Sequence, residues 1–355
     1  MKKTVIASLA MGLLVLGFAA CTKAGAPAAG SASAADMLSM LPKAAHGVVV
    51  VDLHAGLNVA FVDKAIKDSK DNQKYLEFVK ETGIDPQKDV YFAVVGLMGP
   101  ESMTDNSPAI IVNLKYDKAK LLAKLKEKAT NVSEETYEGL TLYTVPDADE
   151  KKPMTGCFFD GSNIIFGQAQ DVKAVIDVVK KGADSVLKNE GLSGLLKSAD
   201  QSALLWAAVK LPAEAMKALA TQNPMASSLE NMKSMLLALD YKNKALRIEI
   251  KGLGGDAEKN KQTAEALSGL KALGAMAAGE KPEIGELVNK IEVSSSGEFV
   301  KIAALLPDEL LAKLGTIAQE TVKEKLAGAQ GEEKKAEEKV EKKAEAKVEK
   351  KAEKK

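Results

Sequence analysis

Arginine is almost absent from this chain. Of the 49 basic side chains among 355 residues, only Arg247 is arginine. A planar guanidinium fork gripping phosphate or carboxylate through paired hydrogen bonds is therefore nearly excluded as a recognition device. Net charge is absent too, since 49 acidic residues balance the 49 basic ones. A nucleic-acid-binding domain carries a strong basic excess, so no nucleic-acid partner is expected. Cysteine and histidine number two each, too few for a structural zinc site built from four cysteines. After the first 20 residues, no apolar run reaches the roughly 18 residues that a membrane helix needs. What the chain does have is 46% apolar residues, ample for a core. At roughly 100–200 residues per domain its length fits two domains, or one built from two similar halves.

The N-terminus carries an address. Lys2 and Lys3 precede an uncharged apolar run over 4–18, and the small residues Ala19 and Ala20 follow. Charge, apolar run and small residues in that order make residues 1–20 an export signal. The stretch Leu16-Gly17-Phe18-Ala19-Ala20-Cys21 resembles the lipobox of bacterial lipoproteins, with Phe18 where leucine is usual. The resemblance implies that the Cys21 thiol receives a diacylglyceryl group, that the signal is cut before it, and that the new amine takes a palmitate-type chain. At about 0.8 kcal/mol per buried CH2, such chains hold a protein on a membrane permanently. Thr22 follows the cysteine, where the family uses Asp for inner-membrane retention. The same resemblance thus favours the outer membrane, facing the periplasm. With Cys21 lipidated, Cys157 has no partner for an intramolecular disulfide. It lies in the apolar run 155–159 and reads as a buried, inert thiol.

Two low-complexity segments flank the body. Residues 21–36 are the lipidated cysteine and an Ala/Gly/Ser/Pro tether spanning about 20 Å. Residues 328–355 repeat Lys-Ala/Val-Glu-x and hold ten lysines and eight glutamates. The register stacks like charges at i,i+4, and its apolar stripe is only alanine and valine, so the tail reads as a solvated spacer. Its net charge of +2 allows weak contact with an anionic cell wall.

Between them, residues 37–327 alternate strand and helix patterns. Strands are expected at 48–51, 89–98, 109–116, 140–145, 157–159 and 163–166, with helices over 57–83, 117–129 behind Asp117, and around Val172, Val175, Ile176 and Val179. A second series follows: strand 203–209, a helix from Pro212, a hairpin 235–251, a helix over 256–277 behind Asp256, a hairpin 291–304, and a last helix from Pro307-Asp308. The order is the same in 37–186 and 187–327. An α+β fold of two similar halves is expected, of mostly antiparallel sheet with helices packed on one face. Leu41-Pro42-Lys43-Ala44, the valine run at 48–51, and Thr82-Gly83-Ile84-Asp85-Pro86 resemble uncharacterised bacterial secreted proteins of a domain-of-unknown-function family. That resemblance implies an extracytoplasmic location and no known reaction.

Chemical motifs are sparse. Gly252-Leu-Gly254-Gly255-Asp256-Ala257 fits G-x-G-x-x-A. A dinucleotide site would also need a parallel βαβ unit and an acidic residue ending the next strand, so the stretch reads as a glycine-rich turn capped by Asp256. Asp52 and His54, with His46 nearby, lack a third metal ligand. The acidic run Asp147, Asp149 and Glu150 lacks EF-hand spacing. Ser185 and Lys188 match S-x-x-K at chance frequency. Met216, Met225, Met232 and Met235 suit core filling or an apolar ligand pocket. No catalytic, cofactor-binding or metal-binding residue is assigned, and Cys21 is the one site residue. The expected function is a lipid-anchored envelope protein with a non-enzymatic binding or scaffolding role. The alternatives are a periplasmic carrier of lipid or another apolar ligand, and an envelope hydrolase whose site sequence does not reveal.

Overall fold

The computed structural model describes residues 33–68, 72–98, 107–129, 131–146, 153–222, 229–280 and 282–317. The export signal, Cys21, the acidic run at 147–150 and the 328–355 tail lie outside them. The first half runs α1 (Ala34–Met40), β1 (Gly47–Asp52), α2 (Leu53–Leu57), α3 (Ala60–Asp68), α4 (Asn72–Thr82), α5 (Pro86–Asp89), β2 (Val90–Met98), β3 (Ser107–Leu114), α6 (Lys118–Lys128), β4 (Ser133–Tyr137), β5 (Leu140–Val145), β6 (Met154–Phe158), β7 (Asn163–Gly167) and α7 (Ala169–Lys181). After a short 3-10 turn come α8 (Glu190–Ser198), β8 (Leu205–Lys210), α9 (Ala213–Gln222), β9 (Ser234–Lys242), β10 (Ala245–Leu253), α10 (Ala257–Ala277), α11 (Pro282–Lys290), β11 (Ile291–Ser295) and β12 (Phe299–Pro307). A helix over 308–317 follows.

The twelve strands make one sheet in the order β11-β12-β10-β9-β8-β1-β2-β3-β7-β6-β5-β4, and every pairing is antiparallel. Read outward from the middle, each half places its first three strands in sequence, then its last strand, then the last but one. The first half adds β5 and β4 beyond these. The α+β class and the two similar halves are thus plain in the strand order. The halves are not separate sheets, because β1 pairs with β8 along five residues, Gly47↔Val209 to Val51↔Leu205.

Helices cover both faces of the first half, where one covered face was expected. On one face Val48, Val50, Val94, Ile111 and Ile165 pack with α1, α7 and α8 through Met37, Val172, Ile176 and Leu192. On the other, Val49, Val51, Val95, Ile110 and Ile164 pack with Leu53, Phe78 and Leu121 of α2, α4 and α6. The physical reason stands in the sequence. Val48-Val49-Val50-Val51 and Ala109-Ile110-Ile111-Val112 are continuous apolar runs, the pattern of strands buried on both faces, not the alternation of a half-solvated sheet.

Local chemistry explains the other departures. Ser33 and Asp36, read as the end of the tether, open α1 through a reciprocal capping box: Asp36 N–H donates to Ser33 Oγ at 3.2 Å and Ser33 N–H to Asp36 Oδ2 at 2.9 Å. The helix expected over 57–83 is three helices. Asn58 ends α2, its Nδ2 donating to the His54 and Gln87 carbonyls at 2.8 and 2.7 Å, a local bond that competes with helix continuation. Strand β4 was not anticipated. It turns into β5 through Glu138 and Gly139, both at positive φ (48° and 76°), a geometry that matches strand twist in a two-residue hairpin. Arg247, Glu249 and Lys251 are ion-paired on β10, with Arg247 reaching Asp200 at 2.5 Å. They and their neighbours Leu246, Ile248 and Ile250 are all partly buried, where the alternation predicts charged residues in water and apolar ones inside.

Trp206, the single tryptophan, sits on β8 opposite Val50 of β1, 1% exposed. Its emission therefore reports on the join between halves. Denaturant unfolding followed by Trp206 emission and by far-ultraviolet circular dichroism should give one coincident transition. Trp206→Ala should cost about 3–5 kcal/mol. Two separated transitions would mean that the halves fold independently.

Candidate functional site

Strands β5, β6 and β7 carry Tyr143, Val145, Met154, Gly156, Phe158, Ile164 and Phe166 along one wall of a pocket. The register aligns Tyr143, Gly156 and Phe166 side by side across the three strands. Gly156 therefore leaves a notch between two aromatic side chains. A Cβ at this position would meet only the Phe166 ring, at 3.5 Å. A glycine inside a strand forfeits packing and often marks the close approach of another group. Helices α4 and α6 lie over the notch and contribute Phe78, Thr82, Leu121 and Leu125. Apolar positions on α6 are few, Ala119, Leu121, Leu122, Ala123 and Leu125 among five lysines and a glutamate. The two helices do not fill the space beneath them, and a cavity of about 230 Å³ remains.

The polar residues of the pocket divide by position. Lys74, Glu77, Glu81, Lys124 and Lys128 all come from α4 and α6, while the strands supply an almost wholly apolar floor. Lys128 pairs with Glu81 across the two helices, and Lys120 Nζ donates to the Lys80 carbonyl at 3.3 Å. Lys124 reaches Glu127 of its own helix at 2.7 Å, and that hydrogen bond raises its pKa. Within this wall, Phe158 stacks on Tyr116 at a ring separation of 5.6 Å and meets Tyr143 edge-on at 5.9 Å, and Lys118 Nζ lies 5.6 Å from the Phe158 centroid. Burial, with Asp160 and Cys157 nearby, pushes the Tyr116 hydroxyl up to about 12. The arrangement can hold an apolar body beneath a charged rim.

The residues singled out in the sequence lie elsewhere. Cys157 borders the pocket, but it is 1% exposed and packs with Leu142 and Ile165. Asp52 caps α2, accepting from Ala55 N–H at 2.8 Å, and burial raises its pKa. His54 stacks on Tyr91 at 5.7 Å. Gly252 and Gly254 close against Met232 and Lys233, and Asp256 accepts from Lys259 N–H at 2.9 Å at the start of α10, behind an antiparallel strand. Lys188 pairs with Asp184 at 2.8 Å. Met216 is buried in the core, and Met225 falls outside the described residues. Sequence reasoning missed the pocket itself. Its available signal was Gly156, a lone glycine inside the strand Met154–Phe158.

The family described as "Protein of unknown function (DUF3352)" matches residues 88–294. The chain belongs to that family. The match runs from α5 to β11, so it takes in β5, β6, β7 and α6 of the pocket but not α4. No curated protein matches the chain. Among solved structures, crystal form I of TP0453 is similar at 10% identity, over 78% of this chain and 94% of that one, with a TM-score of 0.42. Crystal form III of TP0453 is similar at 13% identity, over 78% and 96%, with a TM-score of 0.45.

In this DUF3352 chain the Cys157 thiol is pushed up to about 11, by burial and against the pull of Lys118. The folded state keeps the proton that the unfolded thiol loses near ~8.5. The associated stability is full below that pH and is lost as pH rises toward 11. With Cys21→Ser leaving Cys157 as the single thiol, iodoacetamide at about pH 8.5 should label the unfolded chain and leave the folded one unlabelled. Rapid labelling of the folded chain would place the thiol in an open, reactive site.

Proposed function

We propose that this chain is a lipid-anchored envelope protein that binds a small apolar molecule in the pocket between α4, α6 and strands β5–β7. The observation that carries the reading is the cavity of about 230 Å³ floored by aliphatic and aromatic side chains. An apolar cavity of ~150 Å³ already stays dry and takes up benzene-sized guests. Apolar lining without packing partners forgoes dispersion contacts, and an apolar occupant supplies them. The lipobox-like stretch at Cys21 supports membrane attachment, outer membrane and periplasmic side favoured. Binding of apolar cargo by an anchored body suits a carrier or a sensor of envelope lipids. The hydrolase reading has less support, because the thiol that borders the pocket is 1% exposed and packs into the core with Leu142 and Ile165.

Two measurements test the halves of this proposal. Cys21→Ala should release the protein from the membrane fraction or leave its signal uncut, and metabolic labelling with palmitate should fail. Unchanged fractionation and unchanged mass would overturn the anchor. Gly156→Leu should fill the notch, raise the thermal midpoint by a few degrees through about 0.5–2 kcal/mol of added packing, and abolish the stabilisation that decanol gives the wild-type chain. If Gly156→Leu still gains from decanol as the wild type does, the pocket is not the binding site.

A further inference from the structure

We propose that the occupant of this pocket is a single-chain amphiphile with an anionic head, held at the rim by Lys124 and Lys128. The inference rests on reading the pocket as an apolar binding site and adds the chemistry of the ligand. Size comes first. At about 230 Å³ the cavity exceeds a benzene-sized void of ~150 Å³ and falls short of the ~300–1,000 Å³ that drug-sized ligands occupy. That volume matches one aliphatic chain.

Polarity follows from position. The strand floor has no charged side chain, and every charged lining residue comes from the two helices. A guest with an apolar body and a polar end matches that division. The sign of the end comes from α6, which carries five lysines and one glutamate, whereas the lysines and glutamates of α4 are equal in number. At the rim itself three lysines (Lys74, Lys124 and Lys128) stand against two glutamates (Glu77 and Glu81), an excess of one positive charge that favours an anion over a cation.

The lysines can change partners at little cost. Lys124 and Lys128 lie one turn apart, their side chains 31% and 29% exposed. Their present partners, Glu127 and Glu81, are 58% and 37% exposed. Ion pairs partly open to water are weak, because water screens them. A head group that brings its own negative charge can replace Glu81 on Lys128 and Glu127 on Lys124, and the released carboxylates return to water.

Calorimetric titration of the full chain carrying Cys21→Ser with decanoate, decanol and decylammonium tests this, because the three share one chain and differ in the head. Decanoate should bind about three- to ten-fold more tightly than decanol, with decylammonium weakest, and the preference should shrink as salt rises. The double variant Lys124→Gln, Lys128→Gln should bind decanol as before and lose the preference for decanoate. Equal binding of decanoate and decanol, or a preference that survives in the double variant, would overturn the anionic head and leave the apolar pocket standing. Failure of all three probes to bind, or binding that Gly156→Leu does not reduce, would overturn the pocket and this inference together.

Discussion

The pairing of β1 with β8 is the constraint on which the rest depends. It joins strand series of the same order into one sheet, with one face of the join buried and the other half-buried. Val50 and Trp206 lie opposite each other on one face, and Val51 and Leu205 on the other. An edge strand left open here would expose a row of unpaired backbone groups beside some of the most apolar residues of the chain. Pairing the two first strands removes both edges at once. It also moves the remaining free edges to β11 and β4, where exposed Glu292, Ser294, Glu134 and Glu135 discourage edge-to-edge association.

With the sheet fixed in this way, the helices have two surfaces to cover and unequal means to do so. Against one face of the first half, α1, α7 and α8 bring a dense set of large apolar residues, and many of these are fully buried. Against the other face, the charged α4 and the lysine-rich α6 bring few large apolar residues, and Leu76 of α4 is left 58% exposed. Close packing is what a core gains from complementary side chains. Where Gly156 withdraws its side chain and the overlying helices offer too few, the packing is incomplete and a cavity persists. The same scarcity that leaves the cavity apolar places lysines at its rim. Pocket and rim charge are therefore two consequences of one composition.

Much of the fold was legible in the residues. Continuous valine and isoleucine runs marked β1 and β3, Asp117 and Asp256 marked helix starts, and Gly83 marked the end of α4 with a φ of 75°. Strand β4 escaped because Ser133–Tyr137 is polar throughout and its only signal was the Glu138-Gly139 turn. The covering of both faces was readable from Val48–Val51 and Ala109–Val112, whose apolar residues run without alternation. The site was less legible. Its wall residues are ordinary apolar positions of three strands, brought together only by register, and the feature that sets them apart is the missing side chain at Gly156. A cavity is a property of what neighbouring elements fail to supply, and that comparison requires the packing itself.

The central claim is that this body carries an apolar guest between α4, α6 and the β5–β7 wall. Native mass spectrometry of the protein extracted from its own membranes tests it most directly, with the wild-type chain and Gly156→Leu compared under identical extraction. The account predicts a wild-type population heavier by the mass of one small single-chain molecule, and no such population for Gly156→Leu. Spectra without added mass in the wild type, or the same added mass in both proteins, would contradict it.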